Sequence, residues 1–404
     1  MNKISRMKIG GFRRLENVDL PVRPFMVLIG ANGVGKTSLL DAFSLLSASA
    51  AGKLNSSLSQ FGGIGSLLTR GRSEEISFLV DMEVTGHRPP RPGLLSPLEY
   101  HLHLEARGTA YGISREILSQ ARKDFPQPFK HIDSSDSDIR YYEVERNRLV
   151  RPDWEHNPLE TSLSQVPKMY QPAGDRISVP QFLFRQPEEM RRVLATAASY
   201  HTLDVGSRAP VKLPQPMKPA TSPGLDAEDL APYLYYLREG EKDRFDAIVD
   251  SLHAAFPDFE SLSFPPVAAG MLTITWKDRN FSKPLYMSEL SEGTLRFLWL
   301  VSLLQSPALP TITTIDEPEV SLHPELLNLL AELMREAAKR TQLIVATHSD
   351  RFIRFLRPEE VVVMDIDEGG SAKATWADSL DLDSWLADYS LDEVWRMGRM
   401  GGRS

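Results

Sequence analysis

Gly30, Gly35, Lys36 and Thr37 stand at the spacing G-x-x-x-x-G-K-[ST], within the run Gly30-Ala31-Asn32-Gly33-Val34-Gly35-Lys36-Thr37-Ser38. Residues of these types in this order make a cradle for phosphate. Glycines let backbone N–H groups curl around phosphate oxygens, and a helix that starts at the end of the loop adds the positive end of its dipole. Lys36 would neutralise the β- and γ-phosphates of a nucleoside triphosphate, and the Thr37 hydroxyl would hold Mg²⁺. The loop by itself implies binding and leaves open what the triphosphate is used for.

A second set of reactive residues lies far along the chain. Thr311-Ile312-Thr313-Thr314-Ile315-Asp316-Glu317 reads as a strand that ends in two carboxylates, the form of a Walker B element. An acid at the carboxyl end of a parallel strand faces the crevice where ligands bind. Asp316 would hold Mg²⁺ directly or through water, and Glu317 would take a proton from, or orient, an attacking water. Gln342 to His348 is another such run, and His348 at its end is placed to reach the γ-phosphate and that water as a catalytic switch. Leu290-Ser291-Glu292-Gly293-Thr294 precedes an apolar helix. Ser291 and Gly293 at a helix start can offer backbone N–H groups to an anion.

These residues need elements to position them. Phe25 to Ile29 reads as a buried strand before the loop, and Leu39, Leu40, Phe43 and Leu46 recur at helical spacing after it. Residues 1 to about 85 read as strand, strand, phosphate loop, helix, strand. Gly86 to Pro97 is rich in proline and glycine. Tyr100 to Glu105 alternates as a strand, with Tyr111 to Leu118 as its partner. Residues 121–180 have no strong period, and Gln186 to Tyr200 reads as a helix. Pro210, Pro214, Pro216, Pro219 and Pro223 mark an extended connection. Beyond Asp226, helices are expected over Glu228–Leu237 and Glu241–Phe256, and a strand over Met271–Trp276. The last third alternates strand and helix, which predicts a mostly parallel sheet. Val361-Val362-Val363-Met364-Asp365-Ile366-Asp367 reads as a final strand running into a turn at Gly369-Gly370, not as a metal-binding Asp pair.

The 404 residues, 42% hydrophobic, suffice for a large core, and the absence of cysteine excludes a disulfide framework and thiolate metal sites. Met1 to Arg6 begins no signal peptide, and the longest apolar stretch, Phe297 to Leu304, is far short of a membrane span. A cytoplasmic protein with no membrane partner is expected. The net charge of −8 argues against DNA as a constant ligand. Arg191-Arg192, Arg396 and Arg399 are read as solvated arginines more readily than as a DNA groove.

The order of phosphate loop, L-S-x-G-x, apolar strand with Asp-Glu, and strand with His resembles that of ABC-type ATPases. The stretches Leu290–Leu304, Ile315-Asp316-Glu317-Pro318-Glu319, Ser321-Leu322-His323-Pro324 and Ala346-Thr347-His348-Ser349 look like the RecF and SMC-like branch. Within that branch they are similar to AAA-family ATPases related to the overcoming-lysogenization (OLD) proteins. The tail from Leu386 to Gly402 also looks like the end of such proteins. The resemblance is specific over residues 1–85 and 226–404. It implies an α/β P-loop NTPase head of ABC type with a mostly parallel sheet, an antiparallel β subdomain near the N-terminus, and an inserted helical or irregular lid. The implied division is 1–85 and 226–404 for the two parts of the head and 86–225 for the inserted subdomain.

The resemblance further implies ATP and Mg²⁺ as ligands and a homodimer when ATP is bound. Ser291 and Gly293 of one subunit would close over the γ-phosphate held by Gly30 to Ser38 of the other, with Ser321 to Pro324 crossing the interface. Glu292 stands where the family commonly has glycine, and Thr294 where it has glutamine. The family's Mg²⁺-sensing glutamine is left open among Gln60, Gln165, Gln171 and Gln181. An ATP-dependent dimerisation switch in DNA repair or anti-phage defence follows, with its output on a separate effector such as a nuclease. A nucleotide-dependent scaffold that sequesters an effector, and a transporter motor subunit, are the alternatives.

Overall fold

In the computed structural model, the residues described are 2–84, 93–136, 138–143, 146–152, 154–166 and 185–401. The chain opens with the antiparallel pair β1 (Lys3–Phe12) and β2 (Leu15–Pro21), then crosses to β3 (Phe25–Ile29), whose five residues are all buried. The phosphate loop leads from β3 into α1 (Lys36–Ala50), followed by the short helices α2 (Leu54–Gln60) and α3 (Ile64–Leu67). Strands β4 (Glu75–Glu83), β5 (Leu94–Arg107), β6 (Ala110–Arg122), β7 (Phe125–Ser134), β8 (Tyr141–Glu143) and β9 (Arg148–Val150) return to the first sheet. That sheet has eight strands in the order β2-β1-β4-β5-β6-β7-β8-β9. Residues 94–150 of the segment expected as an inserted lid therefore continue the N-terminal antiparallel sheet.

Three strands lie where no periodic element was expected. The sequence hides β7 behind Pro126 and Pro128, which a central strand would not accept. Among the described residues its one pairing with β8 is Ile132 with Tyr141, so the proline-bearing end is an edge, where a missing N–H costs nothing. The helix expected over Gln186–Tyr200 is also corrected. Helix α4 (Arg185–Ala195) ends five residues early, and Ala198–Tyr200 forms strand β10. The hydrogen bonds of an open sheet edge outweigh the weak helical preference of Ala-Ala-Ser-Tyr.

The second sheet is the one that matters for chemistry. After β11 (Gln215–Pro216), α5 (Leu230–Gly240) and α6 (Lys242–Ala255), β12 (Phe259–Ser263), β13 (Pro266–Val267), β14 (Met271–Leu272), β15 (Thr275–Asp278) and β16 (Leu285–Tyr286) complete two small sheets. The single strand expected over Met271–Trp276 is thus two strands in different sheets, with Thr273 and Ile274 turning between them. Helix α7 (Glu292–Leu304) then leads to β17 (Ile312–Asp316), α8 (Leu326–Ala337), β18 (Gln342–Ala346), α9 (Asp350–Ile353) and the hairpin β19 (Val361–Ile366) and β20 (Ala372–Trp376). The six-stranded sheet runs β10-β17-β18-β3-β19-β20, parallel except for its last pair.

Strand alternation in this sheet divides two cores. Val27, Ile29, Leu343, Val345, Val361 and Val363 face a core shared with α5 to α8, while Met26, Leu28, Ile344, Ala346, Val362 and Met364 face one shared with α1 and the antiparallel sheet. Burial on both faces is why β3, β18 and β19 read as unbroken apolar runs. The two sheets are also stitched by a buried amide. Gln342 accepts from the Ile4 N–H at 2.7 Å and donates to the Ile4 carbonyl at 2.8 Å, so β18 is held against β1 across 338 residues of chain.

A buried carboxyl anchors the segment after β9. Glu116 on β6 is fully buried and accepts from the Tyr100 hydroxyl at 2.9 Å and from the N–H groups of Ser162 and Leu163 at 2.6 and 2.8 Å. Burial pushes its carboxyl above the usual range, against the pull of these donors. Glu116→Leu strands three buried donors, each worth about 1–3 kcal/mol when left unpaired, so a loss of about 3 kcal/mol or more is expected. It is read as a lower urea midpoint. An unchanged midpoint would mean that segment 161–166 is held by other contacts.

Candidate functional site

Three adjacent parallel strands end at one level. In register, Asp316 of β17 lies beside Ala346 of β18, and Ala346 beside Leu28 of β3. The turns that follow these strands carry Glu317, His348 and the phosphate loop, all at the carboxyl edge of the sheet. At strand spacings near 4.8 Å, β17 and β3 are separated by about 10 Å, a width suited to a phosphate chain with its ion.

The loop conformation depends on its glycines. Gly30 has φ 149°, and a Cβ there would stand 2.3 Å from the Met364 carbonyl oxygen of β19, a backbone atom that cannot retreat. Gly35 caps α1 with φ 112° and offers no side chain to the first turn, which also holds no acidic residue. The first N–H groups of α1 are therefore free of a side-chain cap, as an anion site needs. Lys36 is buried and folds back, donating from Nζ to the carbonyls of Gly30 at 2.7 Å and Ala31 at 2.9 Å. Burial pushes its ammonium below the usual range, while Asp316, Glu317 and Glu319 pull it back. The charges of the two distant motifs thus meet in space. Asn32, Gly33 and Thr37 are exposed, Ala31 and Ser38 half-buried, and Val34 packs into the core beneath.

Asp316 is half-buried. Burial first, and then the neighbouring Glu317, push its carboxyl up, with His201 and Lys36 opposing. Glu317 sits in the left-handed region at φ 51°, a conformation that costs a non-glycine residue about 1 kcal/mol or more. It is held there by its own N–H, which donates to the Ala346 carbonyl at 2.8 Å. Strain of this kind concentrates where a side chain must be aimed. Its Oε1 lies 2.9 Å from His348 Nδ1, and both side chains are open to solvent, at 38% and 49%.

The residues fit a Mg²⁺ ion. Among the described residues, no hydrogen bond or ion pair within the chain engages the Asp316 carboxylate or the Thr37 hydroxyl, and both are hard oxygen donors. No cluster of three or more His, Cys, Asp or Glu side chains forms a metal cage among the described residues. An ion held by one or two protein oxygens, with phosphates and water completing an octahedron, matches how Mg²⁺ is usually bound.

Ser291 and Gly293 lie at a different place, the start of α7. Ser291 is the helix N-cap: its Oγ accepts from the Thr294 N–H at 3.1 Å and meets Thr294 Oγ1 at 2.8 Å. Thr294 thus braces the cap. A Cβ on Gly293 would lie 2.5 Å from the Ser321 carbonyl oxygen, so the glycine lets α7 press against the turn at 321. Ser321 is itself left-handed at φ 64°, and Arg296 donates to its hydroxyl at 2.9 Å.

Sequence reasoning missed His201. Strand β10 pairs in parallel with β17, Tyr200 beside Ile315, and so delivers the exposed His201 to the level of Asp316. Of the four glutamines left open, Gln60 is exposed at the end of α2, and Gln165 bonds within its own loop to Asn157, Glu160 and Thr161. Gln171 and Gln181 lie outside the described residues. Arg191, Arg192 and Arg396 are engaged by Glu188, Glu189 and Asp392, and Arg399 covers the Trp385 ring. No helix among the described residues is long and apolar enough to cross a membrane.

A glycine-rich loop between β3 and α1, facing acids at the ends of neighbouring parallel strands, defines a P-loop ATPase domain of the ABC and SMC-head type. A family model described as "AAA domain, putative AbiEii toxin, Type IV TA system" matches residues 25–354, and the chain belongs to that family. An Smc head bound to the C-winged helix domain of ScpA is similar in fold, with a TM-score of 0.51, 13% identity, and coverage of 92% of this chain and 97% of that one. An Smc head with an extended coiled coil, bound to the C-terminal domain of ScpA derived from Pyrococcus furiosus, gives 0.51, 12%, 98% and 98%. A stretch of 43 residues is 42% identical to an OLD nuclease of Thermus scotoductus (strain ATCC 700910 / SA-01); it spans 11% of this chain and 8% of that protein.

Proposed function

We propose that the chain binds and hydrolyses ATP and uses the nucleotide as an ATP-dependent dimerisation switch. The observation that carries the reading is the meeting of Lys36, Asp316, Glu317 and His348 at one edge of the parallel sheet, with Glu317 Oε1 2.9 Å from His348 Nδ1. In this reading Gly30 to Ser38 cradle the phosphates and Lys36 neutralises them. Thr37 and Asp316 hold Mg²⁺, which supplies charge neutralisation when bound. Glu317 accepts a proton from the attacking water, and His348 steadies Glu317. Residues 1–85 and 226–404 supply most of the head, and the intervening 86–225 extend its antiparallel sheet and give β10 to the edge of its parallel sheet.

Ser291 and Gly293 act in trans in this reading. An exposed helix start with a braced serine cap, packed against the turn at 321, supports their use by a second copy of the chain. The output belongs to another polypeptide, and a relative named as a nuclease supports an effector that cuts nucleic acid, in repair or anti-phage defence.

Mixing two inactive variants tests the shared site. Lys36→Ala and Ser291→Arg are each expected to lack turnover alone. In a mixed dimer one site carries both defects and the other carries neither. Random pairing should restore about a quarter of wild-type phosphate release, because half the dimers are mixed and each has one intact site. A mixture that regains none would overturn the trans assignment.

A further inference from the structure

Glu319 is the acid that this reading does not use. It follows Pro318 in the turn after β17 and is only 9% exposed. Its Oε1 accepts a hydrogen bond from the Thr347 hydroxyl, and its Oε2 has no hydrogen-bond partner among the described residues. Burial pushes the carboxyl above the usual range, the Thr347 bond and His348 opposing. Burying such a group with half its capacity unmet is costly. A carboxyl retained under those terms is doing a job that packing alone would leave to an apolar side chain.

The job is visible in what Thr347 does next. Thr347 is fully buried, its N–H donates to the Leu28 carbonyl at 3.0 Å, and its Oγ1 accepts from the Ser349 N–H at 3.0 Å. The hydroxyl therefore bridges Glu319 and the backbone just past His348. The turn at 317–319 and the turn at 346–349 are tied three times: Glu317 N–H to the Ala346 carbonyl, Glu319 to Thr347, and Glu317 to His348. Two of these ties are fixed and internal. The third is the solvent-facing pair that would meet the attacking water. The middle tie adds a buried side-chain link to the β17–β18 pairing, the Leu28 contact and the backbone bond that set the height of His348 against Glu317.

We propose that Glu319 is a positioning residue that, through Thr347, fixes the backbone presenting His348 to Glu317. The inference rests on the reading that Glu317 and His348 act in hydrolysis. Glu319 touches neither nucleotide nor water in this account. It sets the geometry of the groups that do, so its loss slows turnover and spares ATP binding.

Steady-state ATP turnover and binding of a fluorescent ATP analogue in the full chain test this. Glu319→Ala and Thr347→Val are each expected to lower kcat between about tenfold and a hundredfold, the cost of a small misplacement of reacting groups. KM and analogue affinity should stay within about twofold, since a positioning defect acts on the transition state alone. The double variant should be no slower than the worse single one, because both remove one link. Glu319→Gln keeps an acceptor for the Thr347 hydroxyl and should regain most of the lost turnover; being isosteric, it also guards against a fold defect. Wild-type kcat in Glu319→Ala, equal loss of affinity and kcat, or multiplying effects in the double variant would each overturn the proposal. Glu317→Gln measured alongside separates the two levels. If that variant also turns over normally, the hydrolytic reading itself fails; if it does not, only the role of Glu319 falls.

Discussion

Glu317→Gln is expected to bind ATP with near wild-type affinity, to hydrolyse it some 10²–10⁴-fold more slowly, and to accumulate as a dimer in ATP and Mg²⁺. The substitution is isosteric, so the turn is preserved: the residue stays left-handed at φ 51°, and its N–H still reaches the Ala346 carbonyl. What is lost is the ability to take a proton. The amide also changes the partnership with His348 Nδ1, now 2.9 Å from a carboxylate oxygen. Binding is spared because Lys36 and the loop N–H groups do not depend on Glu317 for their position. Phosphate release and a mass measurement on the same sample check the prediction. Turnover at the wild-type rate would remove Glu317 from the mechanism, and slow turnover without a mass change would leave the chain an ATPase but not a dimer switch.

The parts of this site that could be read in the sequence are those whose physics is local. The loop at Gly30–Ser38 needs its glycines for backbone geometry that no distant residue supplies. The apolar runs of β3, β18 and β19 are buried on both faces, so their burial is written into consecutive residues. Strand β19 and its turn at Gly369-Gly370 were legible too, whereas the antiparallel β20 that follows was not. The parts that could not be read are set by partners far along the chain. Strand β10 exists because β17 offers it an edge, with Ser199 hydrogen-bonded to both Ser44 and Thr314. His201 comes near Asp316 only as a consequence. Glu319 has no role assigned to it by its place after Pro318, and its partner Thr347 lies 28 positions away. Gln342 resembled an ordinary polar start to a strand, yet it joins the two sheets. Gly293 was legible as a helix start, whereas its contact with Ser321 depends on how α7 packs.

Lys36 gives the other large effect, and here binding itself should fail. Lys36→Ala removes a cation that interacts with Asp316, Glu317 and Glu319, and it leaves the carboxylates of Asp316 and Glu317 without it where a triphosphate must enter. Losing one member of a buried charge pair costs about 3 kcal/mol, on the order of a hundredfold in Kd. Repulsion from the unneutralised acids adds to that. Lys36→Arg should not restore affinity, although it restores the charge. The ammonium reaches the Gly30 and Ala31 carbonyls from within the curl of the loop, at 2.7 and 2.9 Å. A planar guanidinium on a longer stem cannot take that place without pushing the loop outward, and Gly30 is already wedged against the Met364 carbonyl. Titration with a fluorescent ATP analogue separates the cases. If Arg bound as tightly as Lys, charge alone would account for affinity. Equal loss in Ala and Arg would mean that affinity lies in the shape of the loop closed around this ammonium.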